Sequence, residues 1–184
     1  MIHKLCMGEM QENCYIIAED KNCVVIDPGD DFIKLKNFID KNMLNIKAVL
    51  LTHGHFDHCA SCKKLQEMGI KVYIHKLDAD KLTGDGNLAT LFNAKFENFT
   101  ADCLIDERTL KIDDFEFTVI HTPGHSKGSV CYIYKNNVFC GDTIFESGGI
   151  GRTDFYDGSY IELSESIKKL KPFFKKGYNF FYGH

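Results

Sequence analysis

Between Thr52 and Cys59 the chain sets His53, His55, Asp57 and His58 within six positions. Imidazole nitrogens and a carboxylate oxygen are the donors that a borderline cation such as zinc takes, and iron and manganese accept the same set. His53 and His55 stand two apart, so both rings point to one side wherever the chain is extended. The competing account is a solvated loop entering a helix, with Asp57 placed near the N-terminus for its charge. A lone histidine would fit that account, whereas four donors in H-x-H-x-D-H spacing favour a metal centre. Three further places carry donor residues: the loop His121-Thr-Pro-Gly-His125, the stretch Cys140-Gly-Asp142-Thr143, and His184. Each is a weak signal alone. All three follow strand-like runs, however, and open sheets place their sites beyond strand ends.

The elements that must hold these residues follow from hydrophobic periodicity. Ala48 to Leu51 is a brief apolar run that reads as a buried strand, and Asp57 opens a helical pattern that runs to Met68 and stops at Gly69. Strands are expected at 2–7, 13–19, 23–27 and 72–74, then at 109–112, 115–120, 130–134, 138–139 and 178–182. Phe32 to Asn42 and Ser159 to Leu170 read as amphipathic helices, the second with Pro172 beyond its end. Residues 83–101, with Phe92, Phe96 and Phe99, form either a rim over the site or a partly helical packing segment. In Asp27-Pro28-Gly29 the aspartate is read as a turn residue in preference to a histidine partner. Cys59 and Cys62 are read as a packed pair, and His75 as an ordinary surface or packing residue. Strands and helices interleave in two halves, which predicts an α/β fold of two mixed sheets with helices outside.

A chain of 184 residues is one domain's worth, long enough to bury about 70% of its unfolded surface. Its net charge of −4, with acids and bases mixed, argues against nucleic acid as a partner. Lys168, Lys169, Lys171, Lys175 and Lys176 are read as the solvated face of the last helix. No signal peptide or membrane-length apolar run is expected, and eight cysteines without a secretory signal suggest reduced thiols and a cytoplasmic location.

Taken in order, H-x-H-x-D-H at 53–58, H-T-P-G-H-S-x-G-S at 121–129, G-D-T at 141–143 and G-H at 183–184 resemble the metallo-β-lactamase superfamily. The nearer similarity is to its glyoxalase II-like branch, the hydroxyacylglutathione hydrolases and their short relatives. Gly148-Gly-Ile-Gly-Arg-Thr-Asp-Phe155 is similar to a segment of those short relatives and of persulfide dioxygenases. The resemblance spans nearly the whole chain and implies a single domain over 1–184, folded as a four-layer αββα sandwich with the metals at one edge. It implies that His53, His55 and His125 hold one divalent ion, that Asp57, His58 and His184 hold a second, and that Asp142 bridges them. His121 matches a family residue that is not a ligand and is given a structural role. Members of the family usually continue past the position of His184, so either the chain is truncated there or its last ligand is a C-terminal residue. The helical C-terminal domain that grips glutathione in the full-length hydrolases has no counterpart.

The function that the resemblance implies is metal-dependent hydrolysis of a small-molecule thioester such as S-lactoylglutathione. Two cations, zinc foremost with iron or manganese as alternatives, would acidify a shared water and polarise the carbonyl. Asp57 would also orient the attacking hydroxide, and Arg152 would anchor a substrate carboxylate unless it pairs with Asp154 or Asp157. Two other readings stay open: a mononuclear-iron persulfide dioxygenase and a metal-binding module without catalysis. Oligomeric state is left open.

Overall fold

The computed structural model describes all 184 residues. The first sheet runs in the order β1 (Ile2–Met7), β2 (Glu12–Glu19), β3 (Asn22–Ile26), β4 (Asn45–Leu50), β5 (Val72–His75) and β6 (Cys103–Ile105). Its first three strands are antiparallel and the remainder parallel. The second sheet takes β7 (Thr109–Ile112), β8 (Phe115–His121), β9 (Val130–Tyr134), β10 (Asn137–Phe139) and β11 (Asn179–Phe181), in the spatial order β11-β10-β9-β8-β7.

The period of two along each strand divides the core into layers. In β2, Cys14, Ile16 and Ala18 face one apolar cluster with Leu35 and Ile39 of α1 (Phe32–Lys41). Tyr15 and Ile17 face the other way, against Phe115, Phe117, Val119 and Tyr132 of the second sheet. The outer side of that sheet, Cys131, Ile133 and Val138, packs on Leu170 and Ile167 of α4 (Tyr160–Lys175). Helix, sheet, sheet and helix are thus stacked in four layers, as the interleaved pattern predicts. Phe117 is fully buried between the sheets, where truncation of a phenylalanine to Ala costs about 3–5 kcal/mol. No helix is long and apolar enough to cross a membrane. All eight cysteines are free, and six of them are buried.

Two helices depart from expectation. The expected single helix from Asp57 to Met68 is two short ones, α2 (Phe56–Cys59) and α3 (Cys62–Glu67). The Asp27–Gly29 loop causes the break: Ser61 donates its backbone N–H to Pro28 O (3.1 Å) and its hydroxyl to Gly29 O (2.5 Å), diverting the helical ladder. In the other direction, α4 continues through Pro172, which was placed beyond its end. Phe173 against Tyr178 and Phe174 stacked on Phe180 pack that last turn, and tertiary burial overrides the proline.

The sheets meet where β4 ends. Tyr132 donates its hydroxyl to Leu51 O (2.8 Å), and Val130 of β9 donates its N–H to Thr52 O (2.8 Å). The residues after Leu50 therefore leave the first sheet at the seam with the second.

Candidate metal centre

The loops after β3, β4, β8, β10 and β11 converge on that seam. The ring centroids of His53 lie 4.6 Å from His55, 4.2 Å from His58 and 4.8 Å from His125, and His184 lies 5.4 Å from His58. Three overlapping sets of donors, His53/His55/His125, His53/His58/Asp142 and Asp57/His58/His184, each fall within 4.8 Å of one another. All seven residues expected at the centre are therefore brought together from four separate loops.

The far side of each ring explains its orientation. His58 donates Nδ1–H to Asp27 Oδ2 (3.0 Å), His125 donates Nδ1–H to Arg152 O (2.9 Å), and His184 donates Nδ1–H to Met10 O (3.1 Å). Thr52 Oγ1 donates to Asp27 Oδ2 (2.6 Å), which leaves it to accept from His53 Nδ1 (3.1 Å). A carbonyl, a carboxylate or a committed hydroxyl can only accept here, so Nδ1 carries a proton and Nε2 of all four rings turns to the centre. This is how histidines are oriented toward a metal. His55 instead turns Nδ1 inward, 2.9 Å from His125 Nε2.

Whether these residues fit a cation is tested by what they leave unmet. His53 Nε2, His58 Nε2 and Asp142 Oδ1 are buried with no hydrogen-bond partner, as are His55 Nε2 and both oxygens of Glu12. Orphaned buried polar atoms are few in native folds, and here every one lies in or beside a single cluster. The spacing also suits a cation. His58 Nε2 to Asp142 Oδ1 is 3.4 Å, His184 Nε2 to Asp57 Oδ2 is 3.3 Å, and His125 Nε2 to Asp142 Oδ2 is 3.7 Å. Two donors on a tetrahedral zinc are about 3.3–3.6 Å apart, given bonds of about 2.0–2.2 Å.

Burial and charge act together on the titrating groups. Burial, reinforced by His58, holds His53 well below the usual imidazole range and so keeps it neutral. Burial also opposes charge on His58, but Asp142 and Asp57 outweigh it and raise that ring well above the ordinary value. Asp142 feels the reverse: His58 overcomes the burial penalty and holds its carboxyl low. Glu12, fully buried at the start of β2, is pushed well up by desolvation.

Several residues of the site escape sequence reasoning. Asp27 is a correction: rather than a simple turn residue, it is buried and accepts from Thr52 N (2.7 Å), Thr52 Oγ1 and His58. Its φ of 49° does fit a turn, so it serves both purposes. Glu12 offers one available signal, an acid next to the apolar run Cys14–Ala18 on the same strand. Asp78 gave none. It lies fully buried in the 3-10 stretch Lys76–Thr83 and accepts from Gly54 N (2.9 Å), Ser126 Oγ (2.7 Å) and Gly128 N (2.7 Å). One carboxylate thus ties the His53–His58 loop to the His125 loop. Lys81, equally buried, lies 3.7 Å from Asp78 and bonds Asp157, which also accepts from Lys127 N (3.3 Å).

Cys59 and Cys62 are buried and stand apart from the donor sets, and Cys59 donates its thiol to His55 O (3.0 Å). His75 is a packing residue, stacked on His121 at 4.3 Å. Arg152 lines the mouth of the site, but its guanidinium forks onto Asp154 (2.9 and 2.7 Å) and lies over the Phe155 ring. That ion pair uses Nε and one Nη2 hydrogen of the exposed guanidinium, and its other N–H groups are not engaged by Asp154. Residues 83–101 combine both roles expected of them, since Leu88, Ala89 and Phe99 are buried while Phe92 borders the site. Gly183 packs directly against the centre, where a Cβ would meet Asp142 Oδ1 at 2.1 Å.

Comparison with known proteins agrees with this geometry. The family model described as the metallo-beta-lactamase superfamily matches residues 7–179. Hydroxyacylglutathione hydrolase GloC of Haemophilus influenzae is 38% identical over 172 residues, which cover 88% of this chain and 80% of that protein. Among solved structures, BLEG-1 B3 metallo-beta-lactamase superposes with a TM-score of 0.90 at 35% identity, over 94% of this chain and 87% of that one. TTHA1623, solved in a di-iron-bound form, gives 0.89 at 30% identity, over 99% and 91%. With its layers, its donor loops and its relatives in agreement, this chain belongs to the metallo-beta-lactamase superfamily.

Proposed function

We propose that the chain is a metal-dependent hydrolase of small-molecule thioesters, of which S-lactoylglutathione is the first to test. His53, His55 and His125 hold one divalent cation, Asp57, His58 and His184 the other, and Asp142 lies between them. The observation that carries this reading is the set of buried, partnerless donors, His53 Nε2, His58 Nε2 and Asp142 Oδ1, on residues whose donor atoms lie within 4.8 Å of one another. The name of the Haemophilus influenzae relative supports the substrate class. Zinc suits the donors, and iron or manganese would be accepted by the same atoms.

Cations bound there supply Lewis acidity toward a carbonyl and toward water near neutral pH. The chain supplies the rest. Asp57 is kept ionised because His58 and His184 outweigh the burial penalty on its carboxyl, and it borders the cavity above the cluster. It would orient the attacking water, which the cations make acidic. Asp27, Arg152 O and Met10 O hold the rings so that little reorganisation is needed at the moment of reaction. Phe155, 5.5 Å from His55, and Phe56 keep bulk water from the reacting carbonyl. A thiolate leaves without a general acid, since a thiol of pKa about 8.5 is already a fair leaving group.

The test replaces His55 or Asp142 by Ala. Each variant should bind fewer metal ions per chain by elemental analysis and lose at least about 100-fold in kcat/KM on S-lactoylglutathione, with an unchanged circular dichroism spectrum. Hydrolysis by either variant at the parent rate would defeat the assignment. One bound iron, with oxygen uptake on a persulfide and no thioester cleavage, would replace it with a dioxygenase.

A further inference from the structure

The geometry points to a selectivity within that same reaction: the site takes thioesters whose acyl half is apolar and ring-sized, and Leu88 is the residue that sets this choice. The inference rests on the thioesterase reading. A cavity of about 220 Å³ opens directly above the cluster, with His55, Asp57, His125, Asp142 and His184 on its floor. Its walls are Met10, Phe56, Leu88, Phe92, Phe145 and Phe155, and the one other lining residue is Arg152. No hydroxyl or amide side chain faces the space, and the Arg152 guanidinium, at the mouth, gives two of its N–H groups to Asp154. A lactoyl hydroxyl set against the apolar walls would give up its water and find no partner on them to replace it. An apolar acyl group gives up nothing comparable. A hydrocarbon-lined cavity of about 150 Å³ accepts a benzene ring, so this one accommodates a phenylacetyl or hexanoyl group.

Leu88 supplies an independent observation. Its φ is 69° and its ψ 2°, the left-handed region that bulky side chains seldom occupy and that glycine or asparagine would take with less strain. Its neighbours over-determine the conformation: Leu88 N donates to Asp85 O (3.0 Å), Phe92 N donates to Leu88 O (3.2 Å), and Asn87 Oδ1 accepts from Ala89 N (2.8 Å). The strained backbone sets the isobutyl group among Phe56 and Phe155, closing the wall opposite the histidines. Strain of this kind persists where a ligand site requires it. A second opening of about 280 Å³ shares Met10, Phe56, Asp57 and Phe92 with the first and adds Glu9, Asp30 and Lys95. Its polar rim suits the thiol half of the molecule, which leaves the apolar cavity above the cluster to the acyl half.

The experiment compares phenylacetyl-, hexanoyl- and lactoyl-glutathione on the metal-loaded protein, and repeats the comparison on Leu88→Asn and Leu88→Met. The apolar acyl groups should exceed lactoyl by about tenfold or more in kcat/KM, a discrimination within reach of a hydrophobic pocket. Leu88→Asn should reduce that ratio about tenfold, and Leu88→Met should retain it. Equal kcat/KM values across the three substrates, or a ratio unmoved in Leu88→Asn, would overturn the selectivity while leaving the hydrolase reading intact. Cleavage of none of the three would overturn both.

Discussion

On one side of Gly54 lie Asp78, Lys81 and Asp157, and on the other lie Glu12, His53, His58 and Asp142. Both groups are withdrawn from water, yet their hydrogen bonding is opposite. Asp78 accepts three hydrogen bonds and faces Lys81, whose ammonium also holds Asp157. Burial opposes charge on Lys81, but Asp78 and Asp157 outweigh it and raise the ammonium above its ordinary range. In the other group, six side-chain atoms counting His55 Nε2 have no partner. A buried network that satisfies itself is architecture, and one that does not is shaped for something the chain alone does not provide. Gly54 is where they touch, since its N–H goes to Asp78 while its neighbours are His53 and His55.

Removing a member should therefore have contrary effects in the two regions. Asp78→Ala strands Lys81 with one partner and leaves the N–H groups of Gly54 and Gly128 unmet, so urea unfolding of the metal-free protein should lose about 3–5 kcal/mol. A loss under about 1 kcal/mol would mean that the two regions do not differ in this way. In the orphaned cluster the gain comes from the ion. Zinc at 100 times its dissociation constant should stabilise the parent by about 2.7 kcal/mol for each site it fills. Asp142→Asn should cancel most of that gain, and should cost the metal-free protein, which loses chiefly the attraction to His58, less than Asp78→Ala does. A metal-free Asp142→Asn that unfolds much earlier would place Asp142 with the architectural group.

A smaller effect separates both regions from the stacked pair of His75 and His121. Burial, with His121 adding to it, lowers the His75 pKa from the usual 6.5 to about 4. The unfolded chain then binds more protons than the folded one between those values, so this contribution is complete above about pH 6.5 and is lost as pH falls toward 4. Over that window the parent should lose on the order of 2–3 kcal/mol from this ring, and His75→Gln should show a correspondingly flatter urea profile. Parallel profiles for the two proteins would mean that His75 is not the source.

The parts legible in the sequence were those encoded locally. Alternation in Phe115-Glu-Phe-Thr-Val and the apolar run before His53 revealed strands, and the spacing of His53 to His58 revealed the metal-donor motif. Missed features depend on contacts between distant segments. Ser61 breaks a helix because Pro28 and Gly29 lie against it. Asp27 is a hub because Thr52 and His58 fold onto it, and Asp78 sits 24 residues from Gly54 and 48 from Ser126, beyond any local pattern. Pro172 reads as a stop until Phe173 and Phe174 find their partners. The Arg152 ion pair with Asp154 was one of two local alternatives, and only coordinates could choose.

The buried cysteines carry a consequence of their own. Burial pushes Cys59, Cys62, Cys14 and Cys140 well up and Cys131 to about 11, so these sulfurs stay protonated at neutral pH. Exchange with a disulfide needs a thiolate that can reach its target, and these groups are neither ionised nor accessible. A low-molecular-weight disulfide in the surrounding solution therefore finds no partner among these five sulfurs, whereas Cys6 is exposed. Sulfur sealed away in this manner keeps the interior reduced even when the surrounding pool turns oxidising, and confines such chemistry to the surface.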